Sequence, residues 1–248
     1  MHLFYTPDLN PEQPYSLSNE EAVHCVKVLR MKEGDELLLT DGVGGLYLAE
    51  VLQASPKSCL CSVKSKVPSY DNRDFRIHIA MAPTKNNART EWFVEKAVEM
   101  GIDEISLIKT QHSERTVIKT ERLEKVAVSA MKQSFKSFMP KINPLTDFKA
   151  LIDSSTEEKK FMATCHGEER VKLREAYRKG ESVIVLIGPE GDFSEEEAAY
   201  AREKGFLTLT LVLVQTVVVV YMKKSACQKV GSQIFRLLLI EYNIAVLV

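Results

Sequence analysis

The clearest chemical signal in the sequence is a loop that joins a predicted buried strand to a predicted helix. Residues 185–197 read Val-Leu-Ile-Gly-Pro-Glu-Gly-Asp-Phe-Ser-Glu-Glu-Glu, with Ser194 as the predicted helix cap. Glycines let a backbone approach a ligand closely, and open parallel sheets bind ligands at the carboxyl ends of their strands. The loop lacks the GxGxxG and GxxxxGK[ST] patterns of phosphate sites, and Glu190 would repel a phosphate. It favours a ligand with cationic character, such as a sulfonium, and a tight turn without any ligand is the alternative.

Basic and amide side chains occur after other predicted strands. Lys85 and Arg89 lie between one predicted strand and the next helix, so we expect them at the same sheet edge as the glycine-rich loop. Arg115 follows the next predicted strand, and its planar fork suits a phosphate or a base edge. Gln133 and Ser134 lie in a predicted basic helix, where the glutamine amide suits a base edge. Taken singly, such residues are more often solvated surface side chains.

The predicted N-terminal helix contains His24 and leads to Arg30. His24 could act as a general base, but nothing nearby in the sequence suggests a carboxylate that orients its ring. A positioning role, an RNA contact or plain packing therefore explains His24 better.

The positive charge of the chain is concentrated in one segment. The formal net charge is only −1, yet residues 115–141 contain seven basic and two acidic side chains. Such a patch could meet phosphates and would make binding sensitive to salt. A solvated helix face is the alternative.

Composition excludes several classes of protein. The chain is 45% hydrophobic and 27% charged, which is typical of a globular protein with a real core. Its five cysteines are odd in number and scattered, which favours a reducing cytoplasm over a disulfide framework. Cys59 and Cys61 would share one face of a strand and are expected to be buried thiols, with no metal site. We expect neither a secretory signal nor a membrane span, since the longest apolar run, residues 207–221, is interrupted and shorter than about 20 residues.

Local patterns divide the chain into two parts. Residues 1–70 are rich in predicted strands (36–40, 46–51 and 58–63) after one helix, whose Ser18 and Glu21 suggest a capping box. Residues 67–73 are polar and turn-rich, like a linker. Beyond them, predicted strands alternate with helices, which argues for a parallel α/β sheet: strands 75–81, 104–108, 160–164, 182–187 and 208–211, and helices 90–100, 121–138, 171–179 and one opening at 194.

The order of these motifs resembles the RsmE family of RNA methyltransferases. The matching pattern is His-x4-Leu-Arg-Met, Arg-x-Glu-Trp-Phe-x-Glu-Lys-Ala-x-Glu-Met-Gly, Ser-Glu-Arg-x-Val, Lys-Gln-Ser and Ile-Gly-Pro-Glu-Gly-x-Phe-Ser-x-Glu-Glu, across residues 1–206. The resemblance implies an α/β protein with an N-terminal PUA-like RNA-binding β-barrel (residues 1–70) and a SPOUT methyltransferase domain (residues 74–248). The second domain would be a parallel sheet with a trefoil knot.

The resemblance also implies a reaction and a set of site residues. The family works as a homodimer and uses S-adenosylmethionine to methylate N3 of one uridine in 16S ribosomal RNA of the small subunit. By this resemblance Ile187, Gly188, Pro189, Glu190, Gly191 and Leu211 would line the cofactor pocket. Arg115 would be the catalytic residue, and the RNA contacts would be His24, Arg30, Lys85, Arg89, Gln133 and Ser134.

Two features depart from the family pattern. Asp192 stands where the family has a second glycine, and aspartate tolerates positive φ better than most residues. After residue 211 the expected Leu-Gly-x-x-Ile-Leu-Arg-x-Glu-Thr-Ala loop is replaced by a β-branched run, so residues 212–248 are atypical. We hypothesise that the reading frame shifts near residue 211, in the gene or in the sequence as recorded. An RNA-binding protein that has lost cofactor binding is therefore an alternative function, and a SPOUT enzyme acting on tRNA is a third.

Overall fold

The computed structural model describes residues 1–68, 73–167 and 170–209, and their strands form two separate sheets. One is a mixed sheet from the N-terminal third of the chain, and the other is a parallel sheet with helices. The predicted fold class, a β-rich unit followed by a parallel α/β domain, is confirmed. The trefoil knot depends on the chain after residue 209, so it lies outside the described residues, as does the frame-shift hypothesis.

The N-terminal sheet contains five strands in the order β1-β3-β4-β5-β2. Strand β1 pairs with β3 in parallel, and the other pairs are antiparallel. The three strands expected from alternation are present, and two of them are longer than expected; the two short strands near the N-terminus were not predicted. The strands are β1 (Leu3–Tyr5), β2 (Tyr15–Ser16), β3 (Glu36–Thr40), β4 (Leu46–Ser55) and β5 (Ser58–Lys66).

Buried thiols form part of the core of this unit. Cys59 and Cys61 are fully buried on one face of β5, as predicted, and the Cys59 Sγ lies 3.6 Å from Cys25 Sγ. Burial, with a smaller contribution from the hydrogen bond with Cys59, raises the pKa of the Cys25 thiol to about 12. The thiolate is the reactive form of cysteine, and the raised pKa keeps the Cys25 thiol protonated at neutral pH. We therefore interpret these buried cysteines as packing residues.

The N-terminal helix α1 (Asn19–Val23) continues into a π-helical turn (His24–Val28). The Ser18 side chain accepts a hydrogen bond from the Glu21 amide at 3.4 Å, as predicted for a cap. The predicted capping box is nevertheless incomplete, because the Glu21 carboxylate accepts from Lys132 Nζ at 2.5 Å instead of bonding to the Ser18 amide. This ion pair joins α1 to a helix of the second unit.

The second sheet contains six strands in the order β11-β9-β10-β6-β7-β8, and every pair is parallel. Every residue of β6 and β10 is buried, as expected for central strands covered on both faces. The strands are β6 (Ile77–Met81), β7 (Glu104–Lys109), β8 (Lys141–Asp147), β9 (Lys159–Ala163), β10 (Val183–Ile187) and β11 (Leu207–Leu209). The helices are α2 (Asn87–Met100), α3 (Thr120–Gln133), α4 (Phe148–Ser154), α5 (Leu173–Ala176) and α6 (Glu195–Glu203).

The strand order reverses between β6 and β10. From β6 the chain proceeds outward through β7 to β8, whereas β9, β10 and β11 lie on the other side of β6. The carboxyl ends of two neighbouring strands at such a reversal leave a crevice, and this is where open α/β sheets bind ligands. The loops after β6 and β10 therefore border the expected binding crevice.

Helix α3 ends earlier than predicted. The sequence predicts a helix to residue 138, but the structure ends it at Gln133. Ser134 Oγ donates to the Ala130 carbonyl at 2.7 Å, and Phe135 has a left-handed backbone with φ of 55°. That backbone cannot continue a right-handed helix.

Other elements were missed or mispredicted. Strand β8 was not predicted, because it is polar and contains Pro144, and proline argues against a strand in the sequence. The structure places β8 at the edge of the sheet, where a strand tolerates proline. Helix α4 was also missed, and the helix predicted at 171–179 is only the short α5. By contrast, Gly101 ends α2 in a left-handed conformation, as predicted.

Backbone hydrogen bonds connect the two units. The Gly44 amide donates to the Ser137 carbonyl at 2.9 Å, and the Met139 amide donates to the Gly42 carbonyl at 2.7 Å. An isolated antiparallel bridge joins Val43 to Phe138 between them. The β3–β4 loop of the first unit therefore pairs with the segment between α3 and β8. Across the described residues, no helix has both the length and the apolar character that a membrane crossing requires.

Candidate active site

Three loops meet at the carboxyl edge of the parallel sheet. The Lys85 amide, after β6, donates to Glu190 Oε1 after β10 at 3.2 Å. Arg115 Nη2, after β7, donates to the Lys85 carbonyl at 2.6 Å. The structure thus brings together Lys85, Arg115 and Glu190, which the sequence places up to 105 residues apart.

One nitrogen of the Arg115 side chain is buried and has no hydrogen-bond partner among the described residues. Its Nη2 is held by the Lys85 carbonyl, while its Nε is shielded from solvent and has no partner among the described residues. A buried donor without an acceptor is costly, and functional sites are a common reason for one. Because the protein itself shields Nε, a bound ligand would meet the accessible part of this half-buried side chain instead.

The charge at this edge is mixed. Lys85 Nζ lies 2.8 Å from Glu114 Oε2, and both side chains are exposed. The hydrogen bond to Glu114 raises the pKa of Lys85, with smaller contributions from the charges of Glu114 and Glu190. Lys85 therefore remains a cation at neutral pH beside the carboxylate of Glu190.

Close packing leaves little room for a side chain at two glycines of the loop after β10. A Cβ at Gly188 would lie 3.2 Å from the Phe193 ring, and one at Gly191 would lie 3.3 Å from His112 Cβ. Ile187, Gly188 and Pro189 are buried, whereas Glu190 and Gly191 are exposed at the tip. The loop therefore has a packed base and an accessible backbone at its end.

Asp192 connects this loop to the end of β9. Its backbone has φ of 59°, so the position does require the left-handed conformation. Oδ2 accepts hydrogen bonds from Thr164 Oγ1 at 3.0 Å and from the Cys165 amide at 2.7 Å, and Oδ1 accepts from the Phe193 amide at 2.8 Å. The carboxylate thus offsets the strain of a non-glycine residue at this position.

Replacing Asp192 with asparagine should loosen the loop after β9. Asparagine tolerates the left-handed backbone, but its amide nitrogen cannot accept the hydrogen bond from the Cys165 amide. Loss of a charge-assisted hydrogen bond predicts roughly tenfold faster hydrogen exchange at the Cys165 amide, measured by mass spectrometry or NMR. The Phe193 amide should keep its protection, because the side-chain oxygen can still accept from it. Unchanged exchange at both amides would contradict this role for Asp192.

Two residues of the loop after β7 also fix the site, and no sequence motif indicated them. The Gln111 amide donates to Glu197 Oε1 at 2.8 Å, and Glu197 also completes a capping box with Ser194 at the start of α6. His112 Nδ1 lies 3.1 Å from the carbonyl oxygens of both Gly191 and Asp192. These contacts join the β7 and β10 loops across the crevice.

The predicted RNA contacts fall into two separate groups. Arg89 is exposed near the start of α2, close in the chain to Lys85 and the carboxyl edge. Gln133 and Ser134 lie at the far end of the 14-residue helix α3, at the opposite edge of the sheet. A helix of that length spans about 20 Å, so these residues do not border the same crevice.

The second group lies beside the N-terminal unit. His24 contacts Phe4 edge-on with ring centroids 6.3 Å apart, and Lys132 Nζ lies 5.7 Å from the centre of the same Phe4 ring. Arg30 is exposed and has φ of 57°. Leu211, a predicted cofactor contact, lies outside the described residues. Among the described residues, no group of three or more His, Cys, Asp or Glu side chains is arranged to hold a metal ion.

Comparisons with known proteins identify the family. A family model described as an RNA methyltransferase PUA domain matches residues 17–64, and one described as an RNA methyltransferase domain matches residues 71–213. The chain is 24% identical over 210 residues to ribosomal RNA small subunit methyltransferase E of Bacillus subtilis, covering 79% of this chain and 82% of that one. The chain belongs to the RsmE family of RNA methyltransferases.

Solved structures agree with the RNA methyltransferase family and with the fold. A probable rRNA-methyltransferase from Porphyromonas gingivalis is 39% identical, with a TM-score of 0.81, covering 90% of this chain and 96% of that one. A ribosomal RNA small subunit methyltransferase E from Neisseria gonorrhoeae, bound to S-adenosyl methionine, is 24% identical with a TM-score of 0.79, covering 91% of this chain and 98% of that one. The family and fold that the motifs suggested are confirmed.

Proposed function

We propose that this RsmE-family protein transfers a methyl group from S-adenosylmethionine to N3 of a uridine in 16S ribosomal RNA of the small subunit. We further propose that it acts as a homodimer in the cytoplasm, with a PUA-like domain at residues 1–70 and a SPOUT domain at residues 74–248. The observation that supports this most directly is the meeting of the β6, β7 and β10 loops at the strand-order reversal. The domain matches and the cofactor-bound Neisseria relative supply the reaction class.

The loop after β10 fits this cofactor chemically. Residues 187–192 contain no lysine or arginine, and the exposed Glu190 carboxylate at the tip suits a sulfonium cation. The accessible backbone at Gly191 can approach a flat adenosine closely because it has no side chain. We propose Ile187, Gly188, Pro189, Glu190 and Gly191 as cofactor contacts, with Leu211 added by the family resemblance. When bound, S-adenosylmethionine supplies the electrophilic methyl group.

Arg115 is proposed to assist the reacting uracil. Uracil N3 is a poor nucleophile until its proton leaves, and the negative charge then spreads onto the ring oxygens. The guanidinium of Arg115 is held at the crevice by the Lys85 carbonyl and is half-exposed, so its positive charge stabilises the anion as it forms. Holding N3 in line with the methyl group contributes further, up to roughly 7–11 kcal/mol.

RNA binding is proposed to involve both groups of predicted contacts. Lys85 and Arg89 would hold phosphates near the crevice, where the target uridine has to be unstacked before reaction. His24, Arg30, Gln133 and Ser134 would contact RNA at the junction with the N-terminal unit, about one helix length away. Together, the two groups of residues would form an extended contact surface for a folded ribosomal RNA.

The decisive experiment is a calorimetric titration of the protein with S-adenosylmethionine, followed by methyl transfer to small subunits from a strain that lacks the enzyme. Micromolar binding and a new methyl group at one uridine N3, located by mass spectrometry, are expected. Failure to bind the cofactor would support the alternative of an RNA-binding protein without activity. A modified tRNA would support the alternative of a SPOUT enzyme that acts on tRNA.

The frame-shift hypothesis needs its own measurement. An intact mass of the protein, together with sequencing of the gene around residue 211, tests it directly. A mass of 28.0 kDa with an uninterrupted frame would reject the hypothesis.

A further inference from the structure

One histidine bridges the two sides of the reaction crevice. His112 follows β7, and its Nδ1 lies 3.1 Å from the carbonyl oxygens of both Gly191 and Asp192, after β10. A carbonyl oxygen can only accept a hydrogen bond, so Nδ1 must carry the hydrogen. In the neutral imidazole the other nitrogen, Nε2, then has a free lone pair. The hydrogen bonds of His112 therefore select the tautomer in which Nε2 can accept a proton.

The Nε2 edge of this ring is not used by the protein. His112 is exposed, and its Nε2 makes no hydrogen bond or ion pair with any residue that the structure describes. Because Nδ1 is directed at the backbone after β10, Nε2 lies on the edge of the ring that faces away from that backbone. A ligand in the crevice can therefore reach this nitrogen.

A closed ring of contacts places His112 at the proposed active site. Its Nδ1 contacts Gly191, and the neighbouring Glu190 carboxylate accepts a hydrogen bond from the Lys85 amide at 3.2 Å. The Lys85 carbonyl accepts from Arg115 Nη2 at 2.6 Å, and Arg115 follows His112 by three residues. Strand β6 lies between β10 and β7 in the sheet, so these contacts surround its carboxyl end. His112 thus shares the crevice with the proposed cofactor loop and with Arg115.

The loop that carries His112 is fixed on both sides of this residue. The Gln111 amide donates to Glu197 Oε1 at 2.8 Å. Ser113 Oγ accepts from the Thr110 amide at 3.0 Å, and the Ser113 amide donates to the Thr110 carbonyl at 3.1 Å. A group that is already oriented needs less ordering at the moment of reaction. The loop therefore presents the imidazole in a preorganised position.

The other histidines of the chain lack this arrangement. His78 is buried, and both of its ring nitrogens have hydrogen-bond partners. His24 lies beside the N-terminal unit, and His2 precedes β1. His166 follows β9, which β10 separates from β6. All five histidines belong to the described part of the chain, and only His112 bridges the loops after β7 and β10.

Charged groups surround His112 without binding its ring. They lie on its own loop, on the loops after β6 and β10 and in the first turn of α6: Lys85, Glu114, Arg115, Glu190, Asp192 and Glu197. Lys85 and Glu114 pair with each other at 2.8 Å. No carboxylate of a described residue binds the imidazole, because neutral carbonyls hold its Nδ1. Nε2 is therefore free to accept a proton.

We propose that His112 is the general base that removes the proton from uracil N3. The proposal rests on the proposed function, because it takes uridine N3 as the methyl acceptor. Nε2 accepts the N3 proton, the N3 electron pair forms the bond to the methyl carbon, and the carbon–sulfur bond breaks with its electron pair going to sulfur. The products are N3-methyluridine, S-adenosylhomocysteine and an imidazolium at His112, which releases its proton to solvent. The cation of Arg115 stabilises the uracil anion in the same step.

A matched substitution separates proton transfer from loop structure. In His112→Asn the side-chain amide can still donate to the carbonyls after β10, but it has no group that accepts a proton. Single-turnover methyl transfer should fall by about 100- to 10,000-fold, the usual effect of losing a general base. The melting temperature and the cofactor affinity should match those of the parent. His2→Asn makes the same change at an exposed histidine of the N-terminal unit and should leave the rate unchanged.

The pH dependence of the rate gives a readout that a structural role would not change. In the parent protein the rate should level off once the imidazole of His112 is neutral, because the base is then fully available. In His112→Asn the rate should keep rising with pH, because only hydroxide remains to take the proton. The same levelling in both proteins would overturn the proposal.

A second measurement does not depend on activity. Nitrogen-15 NMR of the imidazole rings, without cofactor or RNA, should show the hydrogen of neutral His112 on Nδ1, and His112→Asn identifies the signal by its loss. A hydrogen on Nε2 would overturn the proposal. If the parent places no methyl group on a uridine N3, the proposed function fails and the base assignment falls with it. If the parent and His112→Asn methylate N3 at similar rates, the base assignment fails alone.

Discussion

Replacing Arg115 with alanine is expected to lower the rate of methyl transfer by about 100- to 1000-fold, the usual effect of removing a donor aimed at developing charge. Its Nη2 is held by the Lys85 carbonyl at 2.6 Å, which fixes the guanidinium in the crevice. The side chain is half-exposed there, so its positive charge can stabilise the uracil anion as it forms. Cofactor affinity should change little, because no hydrogen bond or ion pair among the described residues joins Arg115 directly to the loop after β10. Single-turnover methyl transfer and calorimetry measure the two quantities.

Two further variants define the role of Arg115. Arg115→Lys retains the charge but not the planar fork, so its rate should be intermediate. Arg122→Ala removes an exposed arginine of α3 that pairs with Glu91, and it should affect methyl transfer much less. A rate within a few fold of the parent in Arg115→Ala, with an unchanged melting temperature, would remove Arg115 from the mechanism.

Replacing His78 with leucine is expected to lower the free energy of unfolding by about 1–3 kcal/mol, because it leaves the half-buried carboxylate of Glu157 without its partner. His78 Nδ1 lies 2.6 Å from Glu157 Oε1, and its Nε2 lies 2.8 Å from Ser106 Oγ. His78 is 6% and Ser106 is 1% exposed, so water cannot replace the lost bonds easily. Urea denaturation at neutral pH measures the change.

The same pair predicts a pH dependence. Burial alone would raise the pKa of Glu157, but hydrogen bonds from His78 and the backbone outweigh it and hold the pKa below its usual value. A carboxylate with a lowered pKa contributes stability above its unfolded pKa, about 4.3, and loses it as the pH falls through the folded value. In His78→Leu, burial should dominate, so acidification to about pH 4.3 should reduce the destabilisation instead.

A double variant distinguishes this explanation from simple loss of packing. If the unpaired carboxylate is the cause, replacing both His78 and Glu157 with leucine should restore much of the stability lost in His78→Leu. Strictly additive destabilisation by the two substitutions would show that the carboxylate is not responsible.

Several helix ends, the buried strands and the family could be predicted from the sequence alone. Ser194 before three glutamates predicted the start of α6, and Gly101 predicted the end of α2, because caps depend on a few neighbouring residues. The buried strands β6 and β10 were evident as short apolar runs. The sequence of motifs from His24 to Ser194 indicated the RsmE family, which the comparisons confirm.

Local pattern failed where a residue's role depends on distant partners. Strand β8 is polar and contains Pro144, and it is a strand only because it pairs with β7 at the sheet edge. Glu21 was expected to complete a capping box, but its carboxylate accepts a hydrogen bond from Lys132, which is 111 residues away in the sequence. Asp192 looked like a departure from a glycine pattern, and only the structure shows the Thr164 and Cys165 groups that its carboxylate binds.

The sequence alone determined which residues could do chemistry and which family they belong to. Only the tertiary structure decided which of them act together: it joined Lys85, Arg115 and Glu190 at one edge and put Gln133 and Ser134 at the other. The reason is that caps and apolar runs are set by neighbours along the chain. The meeting of loops is set by the strand order β11-β9-β10-β6-β7-β8, which arises from pairing between residues far apart in sequence.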